Sequence, residues 1–204
     1  MLIPLRLSAQ TDEQLMQRAA RGSDRAFEEL YNRHARRLQG FFARRLGADS
    51  DLAADFMHDA FLRLYAARER YYEGRNFRAW LYTIAYNLCK NHLRNQFVVV
   101  HEDTASSPNP LSKGRGGTPS VDETVDDSCD IELELDMNIL HDALRDVLRN
   151  LSEPYAMLFS LHYEEELTVP QIAQITELPE GTVKSRLHKA MNIIKKELKQ
   201  YENR

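Results

Sequence analysis

Apolar residues recur every three or four positions along most of the chain, and this spacing predicts helices. The helical segments predicted in the first half are 11–21, 24–46, a segment starting at Asp49 or Ser50 and ending near Arg70, and 77–96. Those predicted in the second half are 137–149, 152–166, 168–176 and a segment starting near Glu180. Only 97–100 has a β-like run. The pattern therefore predicts an all-α protein made of two small helical bundles on a tether.

Segment 168–196 predicts two short helices joined by a tight turn. Thr168 and Gln171 have the spacing of a capping box, and Pro179 separates the two helices because proline cannot continue a helix. The second helix carries one apolar stripe, formed by Val183, Leu187, Ala190, Ile194 and Leu198. This arrangement is typical of a helix-turn-helix whose second helix enters the major groove.

The opposite side of that second helix is polar and cationic near its N-terminus. It carries Lys184, Ser185, His188 and Lys189. Such side chains can contact phosphates and hydrogen-bond to base edges, which favours duplex DNA binding. The alternative is a solvated amphipathic hairpin, because basic amphipathic helices are common.

The segment 77–96 combines an apolar stripe with a polar face. The polar face carries Asn87, Lys90, Asn91 and Arg94, with Tyr82 and Tyr86 beside them. Rings interleaved with amides and cations suit single-stranded DNA, because bases stack on the rings. The alternative is a core aromatic set with a solvated polar face. We interpret Phe77 and Trp80 as core residues, whereas Asn87 and Arg94 fit either interpretation.

The charge is unevenly distributed along the chain. The formal net charge is -4, but residues 97–136 contain ten acidic and two basic residues, or -8, which leaves +4 elsewhere. This stretch is also rich in Ser, Pro and Gly, so we predict a flexible acidic linker between domains at 1–96 and 137–204. The mildly basic domains are what an approaching phosphate would meet.

Other features of the composition exclude several classes of protein. Cys89 and Cys129 lack a CxxC spacing, and the seven histidines lack the HExxH spacing of a zinc site, so reduced thiols and no metal are expected. The N-terminal apolar run is too short for a signal peptide, and no run is long enough for a membrane span. We therefore expect a soluble, cytoplasmic protein.

Four stretches resemble, in order, the extracytoplasmic-function (ECF) sigma factors of bacteria. DFMHDAFLRLY (55–65) resembles the helix that binds core RNA polymerase, and FRAWLYTIAYNLCKNHLR (77–94) resembles the helix that melts and reads the −10 promoter element. LRNLSEPYAMLFSLHYEEELTVPQIA and GTVKSRLHKA resemble the −35-binding domain. The resemblance implies a promoter-specificity subunit without an active site or cofactor. Its implied partners are the β and β′ subunits of core RNA polymerase and promoter DNA.

The resemblance also implies three sets of site residues. The set that binds the β′ clamp helices is Asp55, His58, Asp59 and Arg63. The −10 set is Tyr72, Gly74, Arg75, Asn76 and Phe77, in a loop that pockets a flipped base, and Tyr86, Asn87, Lys90, Asn91 and Arg94 on the following helix. The −35 set is Thr182, Lys184, Ser185, Arg186, His188 and Lys189. Arg186 lies nearer the apolar side and could serve phosphates or the fold.

Three positions depart from the family pattern. Glu177 stands where family members often carry glycine in the turn, so a strained or differently shaped turn is expected. His58 replaces a frequent glutamine, and Thr83 replaces a frequent basic residue, so one phosphate contact is expected to be missing.

Three other functions remain open at this point. A stand-alone repressor or activator would bind DNA without polymerase, usually as a dimer, but the chain has no obvious dimerisation helix. A small helical enzyme or a decoy that sequesters a partner is the other alternative. The sequence also leaves open which promoters are read and whether an anti-sigma protein holds the chain inactive. We hypothesise that the acidic linker crosses the polymerase channel and mimics nucleic acid.

Overall fold

All regular elements in the described part of the chain are helical. The computed structural model describes residues 7–47, 50–102 and 137–202. The α-helices are α1 (Asp12–Ala20), α2 (Asp24–Arg45), α3 (Ser50–Ala66), α4 (Phe77–Glu102), α5 (Met137–Asn150), α6 (Glu153–Phe159), α7 (Val169–Thr176) and α8 (Glu180–Glu202). Short 3-10 turns lie at Leu7–Ala9 and Arg68–Arg70, and a π-helical turn lies at Ser160–Glu164. The predicted all-α class is confirmed.

Local capping signals in the sequence place several helix starts correctly. The N–H of Gln14 donates to Thr11 Oγ1 at 3.3 Å and the N–H of Thr11 donates to Gln14 Oε1 at 3.1 Å, which begins α1. At the start of α7, the N–H of Thr168 donates to Gln171 Oε1 at 2.8 Å. Both pairs satisfy backbone groups that a helix end leaves without partners.

Two predicted boundaries are wrong. Helix α3 ends at Ala66 rather than near Arg70, because Arg68 turns back and donates to the carbonyl of Tyr65 at 2.9 Å, which satisfies the end of the helix. Helix α4 continues to Glu102, so 97–100 is helical and not β-like. A short β-branched run has only a weak preference for strand, and the preceding helix overrides it. Asp49 and 103–136, most of the predicted linker, lie outside the described residues.

The two helical domains contact each other through a shared apolar core. Buried residues of α4, such as Leu81 and Tyr82, belong to the same cluster as Leu161, Leu167 and Ile172 from the second half. Helix α4 packs directly on α7. A smaller cluster holds α5, α6 and α8 together and contains Val147, Leu151, Ala156, Ala190 and Ile194. The tethered bundles are therefore docked rather than separate.

The turn between α7 and α8 uses a left-handed residue that is not glycine. Glu177 has φ 58° and ψ 30°, and the next N–H, that of Leu178, donates to the carbonyl of Ala173 at 3.2 Å. The left-handed conformation is unfavourable for residues with a Cβ atom. The turn therefore places backbone strain at Glu177, as the sequence analysis expected.

We expect Glu177→Gly to stabilise the protein by about 0.5–1 kcal/mol. Relief of left-handed strain favours the variant, and the greater freedom of glycine in the unfolded chain offsets part of the gain. Urea unfolding measures the change. Gln174→Gly, at an exposed position inside α7, is the control and should cost about 1 kcal/mol. Equal destabilisation by both variants would contradict the strain at Glu177.

Candidate polymerase and nucleic-acid interfaces

One face of α3 exposes charged groups around a single apolar side chain. Asp55, His58 and Arg63 are exposed, and Arg63 Nη2 lies 2.9 Å from Asp59 Oδ2. His58 Nε2 lies 3.1 Å from the hydroxyl of Tyr31, so α2 positions the imidazole. The structure thus brings the four predicted polymerase-binding residues together on one surface.

Leu62 lies among these residues and was not predicted from the sequence. Its side chain is 69% exposed, whereas Met57, Phe61 and Leu64 of the same helix are buried. Asp59 lies four residues after Asp55, and Leu62 lies three residues after Asp59, so the three side chains share one face of the helix. The sequence signal that could have identified it is the position of this leucine outside the apolar stripe of α3.

The loop before α4 is built on a stack of aromatic rings. The rings of Tyr71 and Trp80 stack with centroids 5.5 Å apart, and both side chains are buried. Burial raises the pKa of Tyr71 to about 12, and its hydroxyl donates to the carbonyl of Arg75 at 2.6 Å. The guanidinium of Arg75 lies 4.5 Å from the centre of the Trp80 ring. Tyr71 and Trp80 therefore fix the position of Arg75.

The exposed part of the loop offers an aromatic ring beside this cation. Tyr72 is 64% exposed, and the Arg75 guanidinium lies 5.8 Å from its ring centre. Gly74 has φ 89°, a value that L side chains rarely adopt, which allows the chain to reverse here. A ring and a guanidinium on one exposed loop form a surface on which an unstacked base can lie.

The two residues at the end of the loop have structural roles in the described protein. Asn76 caps α4, since the N–H of Ala79 donates to its Oδ1 at 2.8 Å. Phe77 is fully buried, and its N–H donates to Glu13 Oε1 at 3.3 Å. The structure therefore places the Phe77 side chain in the core and away from the exposed surface of the loop. The interpretation of Phe77 and Trp80 as core residues is confirmed.

The four polar residues predicted on this face of α4 are exposed, whereas Tyr82, which the sequence analysis placed beside them, is buried in the core. Asn87, Lys90, Asn91 and Arg94 are exposed on two successive turns. Tyr86 is only partly exposed and packs against the apolar core. Burial raises the pKa of Tyr86, the nearby Glu177 adds to that effect, and Arg186 opposes it. Tyr86 therefore lies on the side of α4 that meets the helix-turn-helix.

Thr83 takes no part in this exposed face. Its hydroxyl donates to the carbonyl of Ala79, one turn earlier, at 2.7 Å. The side chain thus has its donor engaged by its own helix. The absence of a phosphate contact at this position stays a prediction.

Helix α8 presents its cationic face as the sequence predicts. Val183, Leu187, Ala190 and Ile194 are buried, whereas Lys184, Ser185, His188 and Lys189 are exposed. The hydroxyl of Ser185 donates to the carbonyl of Thr182 at 3.1 Å, and Lys189 Nζ lies 5.5 Å from the ring centre of Tyr155. Among the described residues, no such contact involves Lys184 or His188.

Arg186 and Thr182 lie at the edge of this face. Both are partly buried, and Arg186 is near enough to Tyr86 to influence its pKa. Arg186 therefore lies on the side of α8 that faces α4. Within the described ranges, histidine, cysteine and acidic residues form no group of three that could hold a metal ion. No helix in these ranges is both long enough and apolar enough to span a bilayer.

Comparison with known families gives two matches, one in each half of the chain. Residues 30–97 match the family described as Sigma-70 region 2, and residues 141–193 match Sigma-70, region 4. The first match covers α3, the loop and most of α4, and the second covers the helix-turn-helix. The exposed faces described above thus lie inside the matched regions.

Relatives and a solved structure show the same likeness. RNA polymerase sigma factor CarQ of Myxococcus xanthus is 42% identical over 95 residues, and this match spans 45% of this chain and about half, 54%, of CarQ. ECF RNA polymerase sigma factor SigW of Bacillus subtilis is 25% identical, over 88% of this chain and 92% of SigW. The structure of CnrH in complex with the cytosolic domain of CnrY superposes with a TM-score of 0.61 at 20% identity, covering 93% of this chain and 97% of that one.

Proposed function

The chain belongs to the ECF sigma factors of bacterial RNA polymerase, and on this basis we propose which of its surfaces performs each step of initiation. As a sigma factor it directs promoter-specific transcription initiation by binding core polymerase and promoter DNA. We assign core-polymerase binding to α3, −10 recognition to the loop and α4, and −35 recognition to α8. The observation that supports this assignment best is that α3, α4 and α8 each expose polar side chains of the assigned set, with only Tyr86 of the −10 set and Arg186 of the −35 set lying where α4 meets the helix-turn-helix.

The α3 surface has the composition of a protein-binding site. An exposed leucine surrounded by charged groups can be desolvated by a partner while the charges set the orientation of binding. The Asp59–Arg63 pair is solvent-exposed, so it contributes little to the stability of the free protein. We therefore propose that Leu62, together with Asp55, His58, Asp59 and Arg63, contacts the β′ clamp helices.

We expect Leu62→Ala to weaken binding to core polymerase about tenfold without affecting folding. Burying a leucine contributes roughly 1.5–3 kcal/mol, of which alanine retains part. Titration of labelled protein with core polymerase measures the affinity, and thermal unfolding should be unchanged because the residue is exposed. The control is Leu7→Ala, a partly buried leucine outside the α3 face. Loss of affinity in the control alone would contradict the assignment.

The two DNA-reading surfaces divide recognition between single-stranded and duplex DNA. We propose that Tyr72 and Arg75 hold an unstacked base of the −10 strand, while Asn87, Asn91 and Arg94 contact the adjacent strand. On α8, Lys184 and Lys189 contact phosphates and His188 reads a base edge. We propose that both domains act without an active site or cofactor and work in the cytoplasm, where polymerase transcribes.

A partner that blocks these surfaces is consistent with the same fold. CnrH was solved in complex with the cytosolic domain of CnrY, and a sigma factor RpoE of Bartonella quintana was solved with the anti-sigma factor NepR. By analogy we propose that a cognate anti-sigma factor binds this chain. Co-purification from the native host, followed by mass spectrometry, tests this directly, and recovery of core polymerase alone would contradict it.

A transcription assay tests the proposed function as a whole. Core polymerase supplemented with the chain is incubated with genomic fragments, and the 5′ ends of transcripts are mapped. We expect new, defined start sites that core polymerase alone does not use. Unchanged start sites would contradict a role in promoter selection.

A further inference from the structure

A fully buried glutamate of the second domain is neutralised by residues of the first. The side chain of Glu165 has no exposed surface. Its Oε2 accepts a hydrogen bond from Arg37 Nε at 2.8 Å, and its Oε1 accepts one from Arg44 Nη2 at 3.0 Å. The hydroxyl of Tyr82 also donates to Oε2. A carboxylate buried in this way depends on its partners, since a buried charge without them is unfavourable.

The neighbouring glutamates strengthen the same contact. Arg44 Nε donates to Glu164 Oε2 at 2.8 Å, and the carbonyls of Glu164 and Glu165 accept from Arg37 and Arg78. The carboxylate of Glu166 lies 3.7 Å from Arg37 and 3.8 Å from Arg78. We call Glu164, Glu165 and Glu166 the glutamate latch, and we call Arg37, Arg44 and Arg78 the arginine cradle.

The backbone that presents the latch is in an unusual conformation. The latch begins at Glu164, the last residue of the π-helical turn at Ser160–Glu164, and Glu166 has φ 53°. A π-helical turn is rare, and a positive φ is unfavourable for a residue with a Cβ atom. Such conformations persist where tertiary contacts hold them, and they concentrate in segments that switch. The contacts with the cradle supply that restraint.

The docked arrangement is incompatible with simultaneous reading of both promoter elements. Helix α4 packs on α7, and α7 packs on α8, so the axes of the two reading helices lie within about 20 Å of each other. The −10 and −35 elements lie about 25 base pairs apart, or roughly 85 Å along a duplex that rises 3.4 Å per pair. The domains must therefore separate before both surfaces engage one promoter.

From these observations we propose that the glutamate latch holds the free protein in a closed state, and that core polymerase binding requires its release. This inference rests on the proposed function. In a buried ion pair, the attraction between the charges is nearly offset by the free-energy cost of desolvating them. Such pairs therefore fix the arrangement of two domains and add little to the free energy needed to separate them. Arg37 and Arg44 are each 40% exposed, so water and salt reach the cradle. The latch is thus suited to reversible opening.

Two dyes placed on the domains measure the opening directly. We use the full chain with Cys129→Ser, and attach dyes at Asn32→Cys on α2 and Asn192→Cys on α8, both at exposed positions. Glu165→Gln keeps the shape of the side chain and removes its charge. We expect a longer inter-dye distance and a shift of about tenfold toward the open state, since charged hydrogen bonds to two arginines are weakened. Raising the salt concentration should open the parent protein further than the variant.

A matched control and a second variant keep the test decisive. Glu28→Gln removes the same charge from an exposed position of α2 and should leave the distance unchanged. Arg44→Gln removes one arginine of the cradle and leaves Arg37 in place to neutralise Glu165. We expect this variant to open the protein as well. We expect both opening variants to bind core polymerase faster.

Unchanged distances in Glu165→Gln and Arg44→Gln, with folding intact by circular dichroism, would overturn the latch. Opening without any polymerase binding by parent or variant would overturn the proposed function instead.

Discussion

Replacing Trp80 with alanine is expected to lower the free energy of unfolding by about 3–5 kcal/mol, the range measured for large aromatic residues in cores. Trp80 is buried, stacks on Tyr71 and lies beneath the guanidinium of Arg75. Removing the indole leaves a cavity and releases Arg75, so we also expect loss of −10 strand binding in the fraction that still folds. Urea unfolding measures the first effect, and binding of a single-stranded −10 oligonucleotide by the reconstituted polymerase measures the second.

The effect on stability and the effect on DNA binding are separated by a variant of the neighbouring loop. Tyr72 is exposed, so Tyr72→Ala should change stability by no more than about 0.5 kcal/mol. It should still weaken binding of the −10 strand by about 1–3 kcal/mol, the contribution of one base stacked on a ring. If Tyr72→Ala binds the strand as well as the parent does, the loop does not hold a base.

Replacing Lys184, His188 and Lys189 together with alanine is expected to reduce −35 binding about 100-fold or more. Each contact contributes about 1–3 kcal/mol, and neighbouring contacts do not add fully. Loss of two phosphate contacts should also reduce the steepness of the salt dependence by one to two units, at about 0.9 per phosphate. Fluorescence anisotropy with a −35 duplex at several salt concentrations measures both quantities.

A control on the same helix distinguishes recognition from general charge. Lys195 and Lys196 are exposed nearer the C-terminus of α8, whereas the base-contacting residues of a recognition helix lie near its N-terminus. Lys195→Ala combined with Lys196→Ala should therefore cause a much smaller loss than the triple variant. Equal losses would indicate that α8 binds DNA through its net charge and not through the assigned face.

Much of the local structure could be predicted because its causes are local. The capping boxes at Thr11 and Thr168 place the starts of α1 and α7, and the apolar stripe from Val183 to Ile194 identifies the buried face of α8. The strain expected at Glu177 is present as a left-handed residue. Each of these signals spans no more than a few turns of helix, so a single sequence contains it.

Contacts between distant segments could not be predicted in the same way. Arg37 and Glu165 are 128 positions apart, and an arginine on the polar side of α2 has the same pattern whether it is solvated or paired. The predicted bundles on a tether consequently gave no indication of the docked arrangement. Leu62 was missed for a related reason. An apolar residue outside the buried stripe indicates a binding surface only once the structure shows that the core is filled without it. The end of α4 was missed because three consecutive valines favour strand only weakly.

The most direct test of the assigned surfaces combines helix variants with promoter variants. Run-off transcription is measured with core polymerase, the chain and promoters substituted at each base of the −10 and −35 elements. We predict that His188→Ala relaxes discrimination at the −35 element alone, and that Asn87→Ala relaxes it at the −10 element alone. If both variants lose discrimination at the same element, or if neither changes any base preference, the assignment of α4 and α8 to separate elements is wrong.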